Sequence, residues 1–367
     1  MNADQMQKAD ISRAGLALAG AAAALGGLAL ASRVRRGERL SDQVALITGG
    51  SRGLGFLLAR ELTSEGCRVA ICARDPAELE RARQELAGAG ADVLAVLCDV
   101  GERGQVERMV ARVNEHYGRI DVLINNAGII QVGPLDQMRV EDFQQALDVM
   151  FWGVVYPTLA VLPQMRARRS GRILTITSIG GKVSVPHLLP YGAAKFAAVG
   201  FSEGLRAELA REGITVTTIA PGLMRTGSHL NAGYKGKLNR EFTWMSLGAS
   251  LPVISMDAER AARQIVRALK RGEAERVLTV PARLLALFHG VAPGTTANIL
   301  ALVDRWVLPA PGGTEDHTVR GVEIEERYPS PLRDRLTGLG RTAAERFHER
   351  PGPVLAATGG AERGREA

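Results

Sequence analysis

From residue 43 onward, short apolar runs alternate with longer stretches in which apolar positions recur every three or four residues. The short runs are Val44–Thr48, Arg68–Ala73, Val93–Cys98, Val122–Asn125, Arg172–Ser178, Thr215–Ile219 and Arg276–Val280. The longer ones are Gly53–Glu65, Ala77–Ala87, Gln105–Tyr117, Val140–Arg168, Leu189–Arg211 and Asp257–Arg271. Runs of near-continuous apolar residues read as buried strands, and the three-to-four spacing reads as helix. Their alternation predicts an α/β fold: a doubly wound, Rossmann-type parallel sheet of about seven strands with helices on both faces. Right-handed crossovers leave few other topologies. No internal repeat of the solenoid kind is present.

Several segments lie outside this alternation. Ala14–Ala31 is a run of 18 residues without a charged side chain, which as helix is about 27 Å long, just short of a ~30 Å hydrocarbon core. Arg33, Arg35, Arg36 and Arg39 follow it, whereas Lys8 and Arg13 before it are offset by Asp4 and Asp10. This asymmetry disfavours a cleaved signal peptide. By the positive-inside rule it predicts a membrane anchor with the remainder of the chain on the cytoplasmic side; a peripheral or packed helix on a cytoplasmic protein is the alternative. The resulting division is an apolar helix and basic linker at 1–39, a main domain at 40–280, an apolar helical extension at 281–309 and a polar, partly disordered tail at 310–367. The extension, broken at Pro293-Gly294, reads as two helices packed on the domain, an oligomer contact or a second membrane-facing surface. Within the main domain, Met224–Pro252 mixes Gly, Asn, Ser and Lys with Tyr234, Phe242, Trp244, Met245 and Leu247, and reads as a lid over a ligand.

Composition narrows the function classes. The chain has 367 residues, a net charge of +7 and 46% apolar residues, which suits a globular protein with a proper core. Arginine dominates the basic residues but is scattered, and aromatics are only 4%, so a basic stripe with stacking rings for nucleic acid is absent. Cys67, Cys72 and Cys98 form no CxxC or Cys/His cluster, so no metal site is expected. Buried single thiols suit a reducing compartment.

Two motifs carry chemistry. Thr48-Gly49-Gly50-Ser51-Arg52-Gly53-Leu54-Gly55 joins the first strand to the first helix, the arrangement in which backbone amides and a helix N-terminus cradle a pyrophosphate. Gly49 permits the tight turn, Gly53 lets a pyrophosphate approach, and Gly55 lets the helix pack on the sheet. Tyr191 and Lys195 are one helical turn apart on one face, where a cation favours phenolate over a phenol whose free pKa is near ~10. Holding a dinucleotide and moving a proton are the two requirements of an oxidoreductase.

In order and spacing these motifs resemble the short-chain dehydrogenase/reductase family, in its TGxxxGxG and YxxxK branch, over about Leu40–Val280. Three further motifs support the resemblance: Asp99-Val100, Asn125-Asn126-Ala127-Gly128, and Pro221-Gly222 with Thr226. It implies that Asp99 contacts the adenine ring, that Asn125–Gly128 stabilises the sheet and lines the cofactor cleft, and that Pro221, Gly222 and Thr226 wrap the nicotinamide end. Asp99 and Asn125 have a plainer reading as cap or turn residues. Ser178 joins Tyr191 and Lys195 at the family's catalytic spacing. The expected reaction interconverts a carbonyl and an alcohol: Tyr191 is the general acid/base, Ser178 hydrogen-bonds the substrate oxygen, and Lys195 also grips the ribose. Ala73 stands where an acidic residue would select NAD(H), and Arg74 and Arg52 suit a 2′-phosphate, so NADP(H) is favoured over NAD(H). Arg74 pairing with Asp75 or Glu78 is the alternative. A homodimer or homotetramer through the helices after Val140 and Leu189 is implied.

One departure stands out. Met150, in Val149-Met150-Phe151-Trp152-Gly153, occupies the place of a family Asn thought to hold a proton-relay water. It supports a rival reading as an NADP(H)-binding sensor or scaffold with weak turnover. An epimerase or dehydratase is opposed by the TGxxxGxG spacing. The apolar lid and N-terminus suggest a lipophilic substrate. Lys235, Lys237 and Arg240 in the lid could instead meet an acidic group, and His187 reads as a structural or solvated loop residue beside the site.

Overall fold

The computed structural model describes residues 39–312 and 317–350; the apolar run Ala14–Ala31 lies outside them. At its centre β1 (Val44–Thr48) is buried along its whole length, between β2 (Arg68–Ala73) and β4 (Val122–Asn125). β3 (Val93–Leu97) extends the sheet beyond β2, and β6 (Gly171–Ile176), β7 (Ile214–Ala220) and β11 (Glu275–Val277) extend it beyond β4. All pairings in this seven-stranded sheet are parallel, in the order β3-β2-β1-β4-β6-β7-β11. The chain leaves β1 to one side and β4 to the other, so their carboxyl ends open into the crevice where doubly wound folds bind ligands. The seven strands and the two-sided helical cover are those expected from the apolar runs; three strands match at both ends, and no end is displaced by more than three residues.

Two apolar cores flank the sheet. One lies under α1 (Gly53–Ser64), α2 (Pro76–Gly88) and α8 (Ala258–Arg271), where Leu57, Leu79 and Ile265 meet Ile47 and Ile71. The other lies under α3 (Arg103–Tyr117), α5 (Gly153–Arg168) and α6 (Leu189–Leu209), where Val106, Val161 and Ala194 meet Leu46 and Leu123. All three cysteines are buried free thiols. The predicted single helix Val140–Arg168 is instead α4 (Val140–Leu147), a wide π turn at Asp148–Trp152, and α5. This stretch is the one described helix long and apolar enough to cross a membrane, but it packs against the sheet.

A third core lies beyond the sheet's carboxyl edge. The segment predicted as a lid holds β8 (Leu223–Arg225), β9 (Gly233–Tyr234) and α7 (Leu238–Ser250), with β5 (Gln131–Val132) paired to β9 and β10 (Ser255–Asp257) paired to β8. Tyr234, Phe242 and Met245 pack there with Val319, Ile324 and Ala344 from the tail. The tail contains β12 (Val319–Arg320), α11 (Gly321–Arg327), α12 (Pro331–Leu336) and α13 (Gly338–Arg346), where the sequence led to an expectation of a polar, partly disordered segment. The apolar surface that orders it belongs to the lid, more than seventy residues earlier. α9 (Val280–Val291) and α10 (Pro293–Trp306) form the expected pair of extension helices, with Leu284, Leu287, Leu302 and Trp306 exposed.

Candidate active site

A cleft of about 760 Å³ runs along the carboxyl ends of the strands. Of the site residues expected from the sequence, Gly49, Ser51, Arg52, Leu54, Gly55, Arg74, Asp99, Val100, Asn126, Ala127, Gly128, Ser178, Tyr191, Lys195, Pro221, Gly222 and Thr226 line it. Thr48 and Gly53 stand behind that lining and shape it.

The glycine-rich turn is locked from below. Thr48 Oγ1 accepts from the backbone N–H groups of Asn126 (3.0 Å) and Ala127 (3.1 Å). Asn126 Nδ2 donates to Thr48 O and Gly49 O, both at 3.0 Å. A Cβ on Gly49, at φ +65°, would come within 2.9 Å of Ala127 Cα, and one on Gly55 within 2.0 Å of Gly49 O. Both positions therefore require glycine. Asn125 donates to Thr158 Oγ1 at 3.0 Å, tying β4 to α5.

The charged side chains at the β2 and β3 end of the cleft are engaged. Arg52 pairs with Glu78 at 2.7 Å and lies 3.5 Å from Glu349. Arg74 pairs with Asp99 at 3.5 Å, rather than with the Asp75 or Glu78 considered from the sequence. Asp99 Oδ1 also accepts from Gly101 N at 3.0 Å, so its turn role and its place in the cleft coexist.

At the other end, burial pushes the Tyr191 phenol upward, and the neighbouring Ser178 hydroxyl opposes this. Lys195 is 4% exposed and donates from Nζ to Ile176 O at 2.9 Å. Burial lowers it to about 8, and Nζ stands 5.8 Å from the centre of the Tyr191 ring. The expected lowering of the phenol by Lys195 does not appear in the protein alone: burial raises it, and the opposing influence is Ser178. Met150 Sδ and Lys195 Nζ each lie 3.7 Å from the position a Gly128 Cβ would take, so both border the space above Gly128. Pro221 O accepts from Ile179 N at 2.7 Å, and Thr226 Oγ1 accepts from Ser228 N at 3.2 Å. These bonds brace the loops at this end.

One lid expectation changes. Lys235 is buried and paired with Asp142 at 2.6 Å, so it faces no substrate. Of the two readings for His187, the structural one holds: it is buried and lies outside the main cleft. Its Nδ1 meets the buried Glu241 at 2.9 Å and its Nε2 lies 3.3 Å from Asp304. It links the loop before Tyr191 to α7 and α10.

Residues 43–234 match the family model described as short chain dehydrogenase. This chain belongs to the short-chain dehydrogenase family. A 3-oxoacyl-[acyl-carrier-protein] reductase from Synechocystis is 37% identical over 53% of this chain and 79% of its own length. A crystal structure of an actinorhodin polyketide ketoreductase variant with NADPH superposes with a TM-score of 0.57 at 32% identity, covering 65% of this chain and 95% of that one. A short-chain dehydrogenase from Streptomyces avermitilis gives 0.63 at 29% identity, over 72% and 98%. As a short-chain dehydrogenase the chain is an oxidoreductase acting on the carbonyl/alcohol pair, with a fold that binds a nicotinamide cofactor. The cleft fits such a dinucleotide: glycines stand where a Cβ would collide, a helix N-terminus faces the middle, and two arginines line the adenosine end. Thr318, Arg320, Asn231 and Glu349 also line it. The sequence carried no local signal for these four, because Asn231 comes from the lid and the other three from the tail, both outside the alternating pattern.

Proposed function

We propose that this short-chain dehydrogenase is an NADP(H)-dependent oxidoreductase that interconverts a ketone or aldehyde with its alcohol on a lipophilic substrate. The observation that carries the reading is the gathering of Ser178, Tyr191 and the buried Lys195 at one end of the cleft. Thr48–Gly55, Arg74, Asp99, Val100, Asn126–Gly128, Tyr191, Lys195, Pro221, Gly222 and Thr226 would hold the cofactor, which supplies or accepts the hydride. In reduction, the Tyr191 hydroxyl gives its proton to the carbonyl oxygen, and Ser178 Oγ hydrogen-bonds the same oxygen as negative charge develops there. The Lys195 ammonium favours the phenolate left on Tyr191. Oxidation runs these steps in reverse. The NADP(H) preference rests on Arg74 and Arg52, and on NADPH in the ketoreductase relative. The apolar walls at Ile129, Ile130, Val149 and Met224 support a lipophilic substrate.

Met150 favours a second reading, a cofactor-binding sensor with weak turnover. One assay separates the two. NADPH and NADH oxidation is followed with a panel of hydrophobic ketones and aldehydes, beside Tyr191→Phe. The enzyme reading expects turnover that falls by roughly 10²–10⁴-fold in the variant, with NADPH binding retained. Arg74→Ala should weaken NADPH binding by about ten- to a hundredfold and leave NADH unchanged, as for loss of one charge-assisted contact. Tight NADPH binding without turnover on any substrate supports the sensor.

A further inference from the structure

The end of the described chain returns to the glycine-rich turn. Phe347 O accepts the backbone N–H of Gly53 at 2.7 Å, at the first position of α1. Two residues on, Glu349 Oε1 lies 2.3 Å from where a Gly53 Cβ would be, and its Oε2 lies 3.5 Å from Arg52 Nε. The space that glycine leaves open at this helix N-terminus therefore holds a carboxylate, and Glu349 is 5% exposed.

Its seat is assembled from four parts of the molecule. Asn231, in the lid, donates from Nδ2 to Glu349 O at 2.6 Å and to Glu349 Oε2 at 2.7 Å. Arg81 on α2 donates to His348 O at 3.0 Å, and Glu85 on the same helix holds His348 Nε2 at 2.8 Å. The His348 ring lies 4.5 Å from that of Phe56 on α1. Arg350 pairs with Glu325 on α11 at 2.6 Å.

Electrostatically the seat is poor for a carboxylate. Arg52 is shared with the closer Glu78, and burial pushes the Glu349 carboxyl upward. What favours an anion here is the helix N-terminus, the same feature that favours a diphosphate. Two anions cannot occupy one cradle without strong repulsion.

We propose that Glu349 is an internal occupant of the anion cradle in the cofactor cleft, and that its strap, Phe347–Arg350, sets the affinity for the dinucleotide by competing with its diphosphate. This rests on the family's reading of the cleft as a dinucleotide site. It adds a residue outside the matched segment 43–234 to the determinants of cofactor binding. Entry of the dinucleotide requires Glu349 to leave the turn. Because the strap also holds Asn231, its departure frees the lid edge in the same movement.

The test uses the full chain and measures binding, not turnover. NADPH and NADH are titrated by fluorescence against wild type, Glu349→Gln and Glu349→Ala, with thermal melts confirming folding. Both variants should bind both nucleotides about tenfold more tightly, since the diphosphate is common to the two. In wild type, saturating NADPH should accelerate tryptic cleavage at Arg346–Phe347 severalfold as the strap lifts. Wild-type binding that is unchanged or weakened in both folded variants overturns the competition, as does protection of that bond by NADPH. Absence of binding by all three proteins overturns the dinucleotide reading of the cleft itself.

Discussion

Lys195 illustrates how much one buried side chain can govern. Its position one turn after Tyr191 was legible because a helix fixes that geometry whatever surrounds it. Its electrostatic state was not, because that depends on how completely the fold encloses it. Burial lowers Lys195 from 10.5 to about 8, so the unfolded chain binds the extra proton between those values. Stability must then rise as pH increases from about 8 to 10.5, and below that window the folded state bears the full cost of a buried ammonium. Compared with Lys195→Met, wild type should gain about 3 kcal/mol across the window. Denaturant unfolding of both proteins from pH 7.5 to 10.5 checks this. Parallel curves would mean that Lys195 holds its proton as tightly in the folded protein as in the unfolded chain, and so is solvated or compensated there.

At the scale of elements, the strands were readable because most are short apolar runs, and the central β1, β4 and β6 are buried on both faces. Thr48–Gly55 was readable because the turn demands glycine at fixed offsets. The break between α4 and α5 was not, since one wide turn at Asp148–Trp152 leaves an apolar periodicity almost undisturbed. The tail's seat was not either: Asn231 and Glu349 are 118 residues apart, and His348 and Ser51 are 297 apart. No local pattern encodes such contacts. The π turn carries Met150, whose thioether borders the space above Gly128 that Lys195 also borders, at the position where the sequence reading expects an Asn. Met150→Asn would place an amide there. The expected outcome is a severalfold rise in kcat with KM little changed, and a loss of roughly 2 kcal/mol of stability for burying a polar group in place of an apolar one. Steady-state kinetics and a thermal melt read both. An unchanged or reduced kcat in a folded variant would show that proton supply to Lys195 does not pass through this position.

For the molecule as a whole, the lid and tail form one body on the carboxyl edge of the sheet, and His229 lies at its centre. The ring is buried, sits 5.9 Å from that of Phe242, and has its Cε1 3.5 Å from where a Gly340 Cβ would be on α13. Burial, followed by the charges of Arg350 and Arg333, lowers His229 from 6.5 to about 4. The unfolded chain therefore binds the extra proton between those values, and stability is lost as pH falls through that window. Glu349 titrates with the opposite sign: burial raises its carboxyl, so the folded state takes up its proton first as pH falls. A comparison with His229→Gln isolates the histidine, because Glu349 is common to both proteins. Wild type should lose up to about 3 kcal/mol more than the variant between pH 6.5 and 4. The loss should fall first on the junction of α7 and α13, where hydrogen exchange of the α13 amides should quicken in wild type before that of β1 or β4. Equal pH dependence in the two proteins, or simultaneous opening of α13 and the central strands, would show that the lid and tail are held to the sheet by contacts other than the one around His229.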